Sequence, residues 1–324
     1  MNGRPGARAP DVSVILPTRN RCDRVRLTLR SALAQRNVAF EIVVVDDGSS
    51  DGTAQMVEAW GEPRIRLVRN HISVGESGAR NRGIQEARGT WIAFLDDDDL
   101  WAPDKLALQL EALRVTGRSW AYGGEVVVDG DHNLLHGSPP PTPEEVGSAL
   151  DRHNAVPASA SNVVVASDLL ARVGSFDTGL RRTPDWDMWL RLIRAGPPAY
   201  VRDPVVAITV HPGNMSRDMD LLFEELDVLA SRHQIPVDRA RHHRWAAWSS
   251  MVDGRRWGAI RHYVRAAAAG DVASIGRGVV ALLPARLRPR RQLLRSGDRE
   301  WMDQARTWLM HLASIPDEPP CNPT

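Results

Sequence analysis

The strongest constraint on the fold lies between residues 12 and 95, where short β-rich runs alternate with helix-like stretches. The runs are VSVIL (12–16), EIVVV (41–45), RIRLV (64–68) and WIAFL (91–95). Between them Val25, Leu29, Ala32 and Leu33 fall on one helical face, as do Ala79, Gly83, Ile84 and Ala87. Strand and helix alternating at this spacing form βαβ units, whose crossover helices cover a mainly parallel sheet. A run as uniformly apolar as EIVVV fits a sheet covered on both faces. The expected class is therefore α/β.

Ligands bind beyond the carboxyl ends of the strands in such a sheet, and three motifs fall there: PTRN (17–20), DDGSSDGT (46–53) and DDDD (96–99). Adjacent carboxylates raise one another's pKa, and a hard divalent cation held through oxygen relieves that repulsion. Turn and N-cap duties account for one or two of the four aspartates without any ligand. In DDGSSDGT, Gly48 lets the backbone bend closely around a ligand and Asp47 can accept hydrogen bonds from a base or ribose; an Asx-turn is the purely structural alternative. RTPDWDMWLRL (182–192) reads as a helix start, with Trp186, Trp189, Leu190 and Ile193 inward and Gly196 as its stop. Asp187 is spaced to pair with Arg191, which leaves Asp185 as the freer carboxylate. His211 follows the apolar run VAITV beside a glycine-containing turn, where it could be structural or complete a metal or phosphate site.

After Ser119 the sequence reads as a strand, an Asp-Gly turn and a return strand. The Pro-rich SPPPTPEE (138–145) is expected to be a mobile surface loop. From about 216 onward the pattern is helical, and its tryptophans are expected in the core. With 41 Lys and Arg against 40 Asp and Glu, nothing in the overall charge calls for nucleic acid. Cys22 and Cys321, without metal-ligand spacing, read as reduced thiols of a cytoplasmic protein. No stretch reaches the roughly 18–20 apolar residues of a membrane span. Peripheral contact at the inner face of a membrane stays open through the basic run RLRPRR (286–291).

Together, VSVILPTRNR, EIVVVDDGSSDGT, SGARNRGIQEARGTWIAFLDDDDLWAPDKL and TPDWDMWLRL resemble the family 2 glycosyltransferases, inverting enzymes with the glycosyltransferase A-type fold that use nucleotide-activated sugars. The resemblance spans about residues 12–215. It implies a catalytic domain over 1–215, with a nucleotide-sugar half (12–118) and an acceptor half (119–215), followed by a C-terminal helical region (216–324). Carried over position by position, it puts Pro17, Thr18 and Arg19 beside the base and ribose and has Asp47 bond the base with Asp46 in support. Arg80, Asp96 and Asp97 are placed with the donor. Asp98, with His211, is placed on a Mn²⁺ or Mg²⁺ ion, and Asp185 becomes the general base. The donor would be a nucleotide-diphosphate sugar, UDP- or dTDP-linked, and the acceptor a glycan, lipid-linked or small-molecule hydroxyl. Pro184 stands where the family often has Glu, which removes the usual acidic neighbour of the base. Two other readings compete: a haloacid-dehalogenase-type phosphatase with Asp96 as nucleophile, and a silent glycan-binding or scaffolding protein with the same fold.

Overall fold

The computed structural model describes residues 9–210, 219–252, 254–282 and 299–313. His211, RLRPRR and Cys321 lie outside the described residues. The chain forms two compact units: Met1–Leu150 with Asn154–His211 and Leu294–Thr324, and Asp151–His153 with Pro212–Leu293.

The first unit opens with β1 (Val12–Thr18), α1 (Cys22–Leu33), β2 (Phe40–Asp46), α2 (Thr53–Ala59), β3 (Ile65–Arg69), α3 (Gly75–Glu86) and β4 (Trp91–Phe94). These four strands are parallel in the order β3-β2-β1-β4, and every residue of β1 and β2 is buried. That burial on both faces is why neither strand alternates polar with apolar residues. Helix α3 lies very close to β1: a Cβ on Gly83 would overlap the Ile15 side chain and lie 3.1 Å from Val45. Gly83→Val is therefore expected to cost about 1–3 kcal/mol by overpacking, read as a lower urea midpoint. An unchanged midpoint would show that this contact can yield.

The second half continues through β5 (Leu100–Trp101), α4 (Lys105–Thr116), β6 (Trp120–Val128), β7 (Leu134–Ser138), α5 (Pro143–Leu150), β8 (Val164–Ala166), α6 (Ser167–Val173), α7 (Pro184–Ala195) and β9 (Ala199–Thr209). It extends the sheet as β4-β8-β6-β9-β5, with β7 on β6. Here β8 runs antiparallel to both β4 and β6, so the sheet is parallel in its first half and mixed in its second. Trp120, Trp189, Phe94 and Phe176 fill the core on this side, Trp120 and Trp189 stacked with ring centroids 6.5 Å apart.

Part of the Pro-rich segment is helical rather than looped. Thr142 N–H donates to Glu145 Oε2 at 2.7 Å and Glu145 N–H to Thr142 Oγ1 at 3.3 Å. This reciprocal capping box starts α5, with Pro143 in its first turn, where a missing N–H costs nothing.

The helical region after 216 is shared between the units. Helix α12 (Arg299–Ala313) belongs to the first, where Trp301 Nε1 donates to Arg202 O at 2.7 Å and Trp308 Nε1 to Pro204 O at 3.1 Å. The second unit contains α8 (Met219–His233), α9 (Arg239–Val252), α10 (Arg256–Ala268) and α11 (Ala273–Leu282). The expectation of burial holds for Trp301 and Trp308 but not in this unit, where Trp257 is 79% exposed, Trp248 44% and Trp245 40%. Ala246, Ala247, Ala259 and Ala266 are buried instead, so small side chains line the helix contacts and the large rings turn outward.

Cys22 is disulfide-bonded, which corrects the reading of reduced thiols. Among the described residues, no helix is long and apolar enough to cross a membrane.

Candidate active site

Sheet register brings two acidic turns to one point. Thr18 at the end of β1 is level with Asp46 of β2. The β1–β4 register pairs Val12 with Trp91 and Ile15 with Phe94, so its continuation sets Asp97 level with Thr18 on the other side. The side chains agree, with Thr18 Oγ1 donating to Asp97 Oδ2 at 2.8 Å. The PTRN strand thus lies between the two acidic strands and links them.

Asp46 is fully buried, accepting from Ser49 N–H at 3.2 Å and lying 3.4 Å from Arg69 Nε. Asp47 accepts four hydrogen bonds: from Ser73 Oγ (2.6 Å), Asn70 Nδ2 (2.9 Å), Val74 N–H (2.9 Å) and Gly75 N–H (3.0 Å). Burial alone would raise its carboxyl, but these donors outweigh it and hold Asp47 below the ordinary range. Four bonds fill a carboxylate's acceptor capacity. Asp47 therefore shapes the 70–75 loop and the start of α3, and a base would bond it only by displacing one of these donors. Gly48 has φ +76°, and a Cβ there would press on Ser73 N at 3.3 Å, so this turn needs glycine. Arg19, exposed at the rim, donates to Ser73 Oγ at 3.0 Å and ties Pro17-Thr18-Arg19 to the same loop.

The four aspartates divide by environment. Asp99 points into the interior, where Ser161 Oγ (2.6 Å) and Thr209 N–H (3.4 Å) hold it; burial, then the neighbouring Asp98 charge, pushes its carboxyl well above the ordinary range. Asp97 is pushed up to about 7, first by burial and then by Asp98. Asp96, Asp97 and Asp98 are half-buried, and Ser161 Oγ also accepts from Asp96 N–H at 3.0 Å, which fixes the turn from below.

Arg80 joins this turn to the third acidic motif. It is 1% exposed, and its guanidinium bonds Asp96 and Glu76, lies 3.3 Å from Asp185 Oδ1, and sits over the Phe176 ring at 5.4 Å. Asp185, in the first turn of α7, also accepts from Ser159 Oγ at 2.6 Å and from Ala160 N–H. Burial raises its carboxyl, against the opposing pull of Arg80. Asp187 turns instead to Arg191, whose Nε donates to it at 3.0 Å. Ser73, Ser159 and Ser161 escaped the sequence reading because serines in loops and short turns carry no periodic signal, and Glu76 did so because its partner Arg80 meets Asp96 and Asp185 only in the fold.

The aspartate turn fits a divalent cation. Asp98 contributes to the upward shifts of both Asp97 and Asp99, a repulsion that a cation at this carboxylate would relieve. Among the described residues, no group of three His, Cys, Asp or Glu side chains could hold a metal unaided. A cation at this turn would need substrate phosphate and water to complete its shell, as is usual for Mg²⁺.

Comparisons with known proteins point to one family. The family model described as Glycosyl transferase family 2 matches residues 13–173. The Escherichia coli UDP-Glc:alpha-D-GlcNAc-diphosphoundecaprenol beta-1,3-glucosyltransferase WfgD is 36% identical over 118 residues, covering 36% of this chain and 47% of its own length. The chain thus spans about half of that relative. The putative teichuronic acid biosynthesis glycosyltransferase TuaG of Bacillus subtilis is 30% identical over 205 residues, covering 59% of this chain and 75% of its own. In structure, S. aureus TarS 1-349 in complex with UDP-GlcNAc superposes with a TM-score of 0.56 at 17% identity, covering 86% of this chain and 85% of that TarS segment. Motif order, strand register and these likenesses agree: the chain belongs to glycosyl transferase family 2, with a glycosyltransferase A-type fold.

Proposed function

We propose that the protein transfers a sugar from a UDP-sugar to a hydroxyl of a glycan or lipid-linked glycan, by a single displacement that inverts the anomeric carbon. The observation that carries this reading is Arg80, one buried cation bonded to both Asp96 on the donor-side turn and Asp185 at the start of α7. Donor chemistry follows from relatives, since WfgD is named for UDP-Glc and a diphosphoundecaprenol acceptor and TarS holds UDP-GlcNAc.

In this reading the 70–75 loop, shaped by Asp47 and braced by Arg19, forms the wall of the base pocket, with Pro17 and Thr18 at its floor. Asp98 would hold Mg²⁺ or Mn²⁺, which when bound neutralises charge on the departing diphosphate as a Lewis acid. Asp96, steered by Arg80, faces the ribose. Asp185 takes the proton of the acceptor hydroxyl as its oxygen attacks from the face opposite the leaving group. Burial makes its carboxylate a stronger base than a solvated aspartate, and no second carboxylate is needed as a nucleophile. The phosphatase alternative is not favoured, because the matching family model and relatives are glycosyltransferases.

The test is a panel of UDP- and dTDP-sugars screened by thermal shift with Mn²⁺ and with EDTA. A UDP-sugar that raises Tm only with Mn²⁺ is expected, because a ligand of the native state stabilises it by mass action. No shift with any nucleotide sugar would overturn the reading. Asp98→Asn is expected to weaken Mn²⁺-dependent UDP binding by about tenfold or more, the range in which losing one ligand-sphere contact acts. Unchanged metal dependence in calorimetric titration would remove Asp98 from the metal.

A further inference from the structure

Asp185 is held by a turn that is itself strained and anchored elsewhere. Ala158 (φ +51°) and Ser159 (φ +41°) are consecutive non-glycine residues in the left-handed region. L-residues rarely adopt that backbone, and it persists only where the surroundings impose it. The next residues, Ser159–Asn162, form a 3-10 turn. Two groups on β6 impose this geometry. Asn162 accepts from Gly123 N–H at 2.8 Å and donates to Gly123 O at 2.6 Å and Pro157 O at 3.1 Å. Two residues along the same strand, the Glu125 carboxylate accepts the Ala158 N–H. Asn154 adds a lighter contact, its Nδ2 lying 3.2 Å from Ser159 Oγ.

The turn hands this constraint directly to Asp185, through Ser159 Oγ at 2.6 Å and the Ala160 N–H. Among the described residues no side chain hydrogen-bonds Glu125, and burial pushes its carboxyl up to about 7. A half-buried carboxyl in the sheet is expensive unless a role repays it. We propose that Glu125 is a positioning residue for the base, holding Asp185 in place through the Ala158–Ala160 turn. The proposal rests on Asp185 being the base.

Glu125→Leu removes the acceptor at similar volume, while Glu125→Gln keeps an oxygen for the Ala158 N–H. With UDP-glucose and Mn²⁺ as the probe, Glu125→Leu is expected to lower UDP release at saturating donor by about tenfold to a hundredfold, the scale of a misplaced catalytic group. KM for UDP-glucose should stay within about twofold, because the lost interaction acts on the base and not on the donor. Glu125→Gln should recover most of the rate. A readout independent of turnover is hydrogen exchange at residues 158–160, expected to quicken in Glu125→Leu and not in Glu125→Gln.

Unchanged exchange in Glu125→Leu would overturn the proposal. So would a rate near wild type, or equal losses in rate and donor affinity that Glu125→Gln fails to restore. Near-normal turnover in Asp185→Asn would instead overturn the base assignment, whereas a dead Asp185→Asn beside a fully active Glu125→Leu would remove Glu125 alone.

Discussion

Replacing Arg80 with methionine is expected to be the most damaging single change in the first unit. Its guanidinium is 1% exposed and bonded to three carboxylates, of which Glu76 is 60% exposed, Asp96 29% and Asp185 18%. Removing one partner of a buried ion-pair network costs about 3–5 kcal/mol. Rehydration of the exposed Glu76 places the expected loss near the lower end, at about 3 kcal/mol. The urea midpoint reads that loss. Lysine should rescue little, since a single ammonium cannot bond Asp96 and Asp185 in a fixed fork.

The same substitution should move the pH profile. Burial raises the Asp185 carboxyl and Arg80 opposes it, so without Arg80 the carboxyl rises further. A base works only when deprotonated, so activity is lost as pH falls through this raised value. The acid limb of kcat in Arg80→Met should therefore lie at higher pH than in wild type. A folded variant with wild-type stability and an unmoved acid limb would show that Arg80 does not couple the two acidic motifs.

Much of this site was legible because strands and helices leave periodic marks and their ends are fixed by the fold. The apolar runs located β1 to β4, and their carboxyl ends located PTRN, DDGSSDGT and DDDD. Asp187 was separated from Asp185 by its spacing to Arg191, and that ion pair forms. What stayed hidden depends on meetings between distant segments. Arg80 and Asp185 are separated by 105 positions, and Ser161 and Asp99 by 62. One sequence holds no record of such pairings.

Asp47 shows a different limit. The residue type announced an acceptor, but not that Asn70, Ser73, Val74 and Gly75 would already saturate it. Helix α5 was missed for a simpler reason. The prolines of SPPPTPEE outweighed a capping signal, Thr142 with Glu145 three residues on, that was present in the sequence. In the second unit, the helical pattern was evident but the direction of its tryptophans was not, because alanine-lined contacts left the rings outside.

Asp185→Asn carries the largest expected effect on turnover. The amide keeps the shape of the carboxylate and can still accept from Ser159 and the Ala160 N–H, but it cannot take a proton. Losing a positioned general base lowers the rate by about 10²–10⁴-fold. Donor binding should survive, since this side chain acts on the acceptor. The direct measurement sets UDP release from a bound UDP-sugar in Asp185→Asn beside calorimetric UDP affinity with Mn²⁺ in the same protein. The account predicts affinity within about threefold of wild type and release reduced by at least about a hundredfold. Near-normal release, or loss of nucleotide binding in step with turnover, would contradict it.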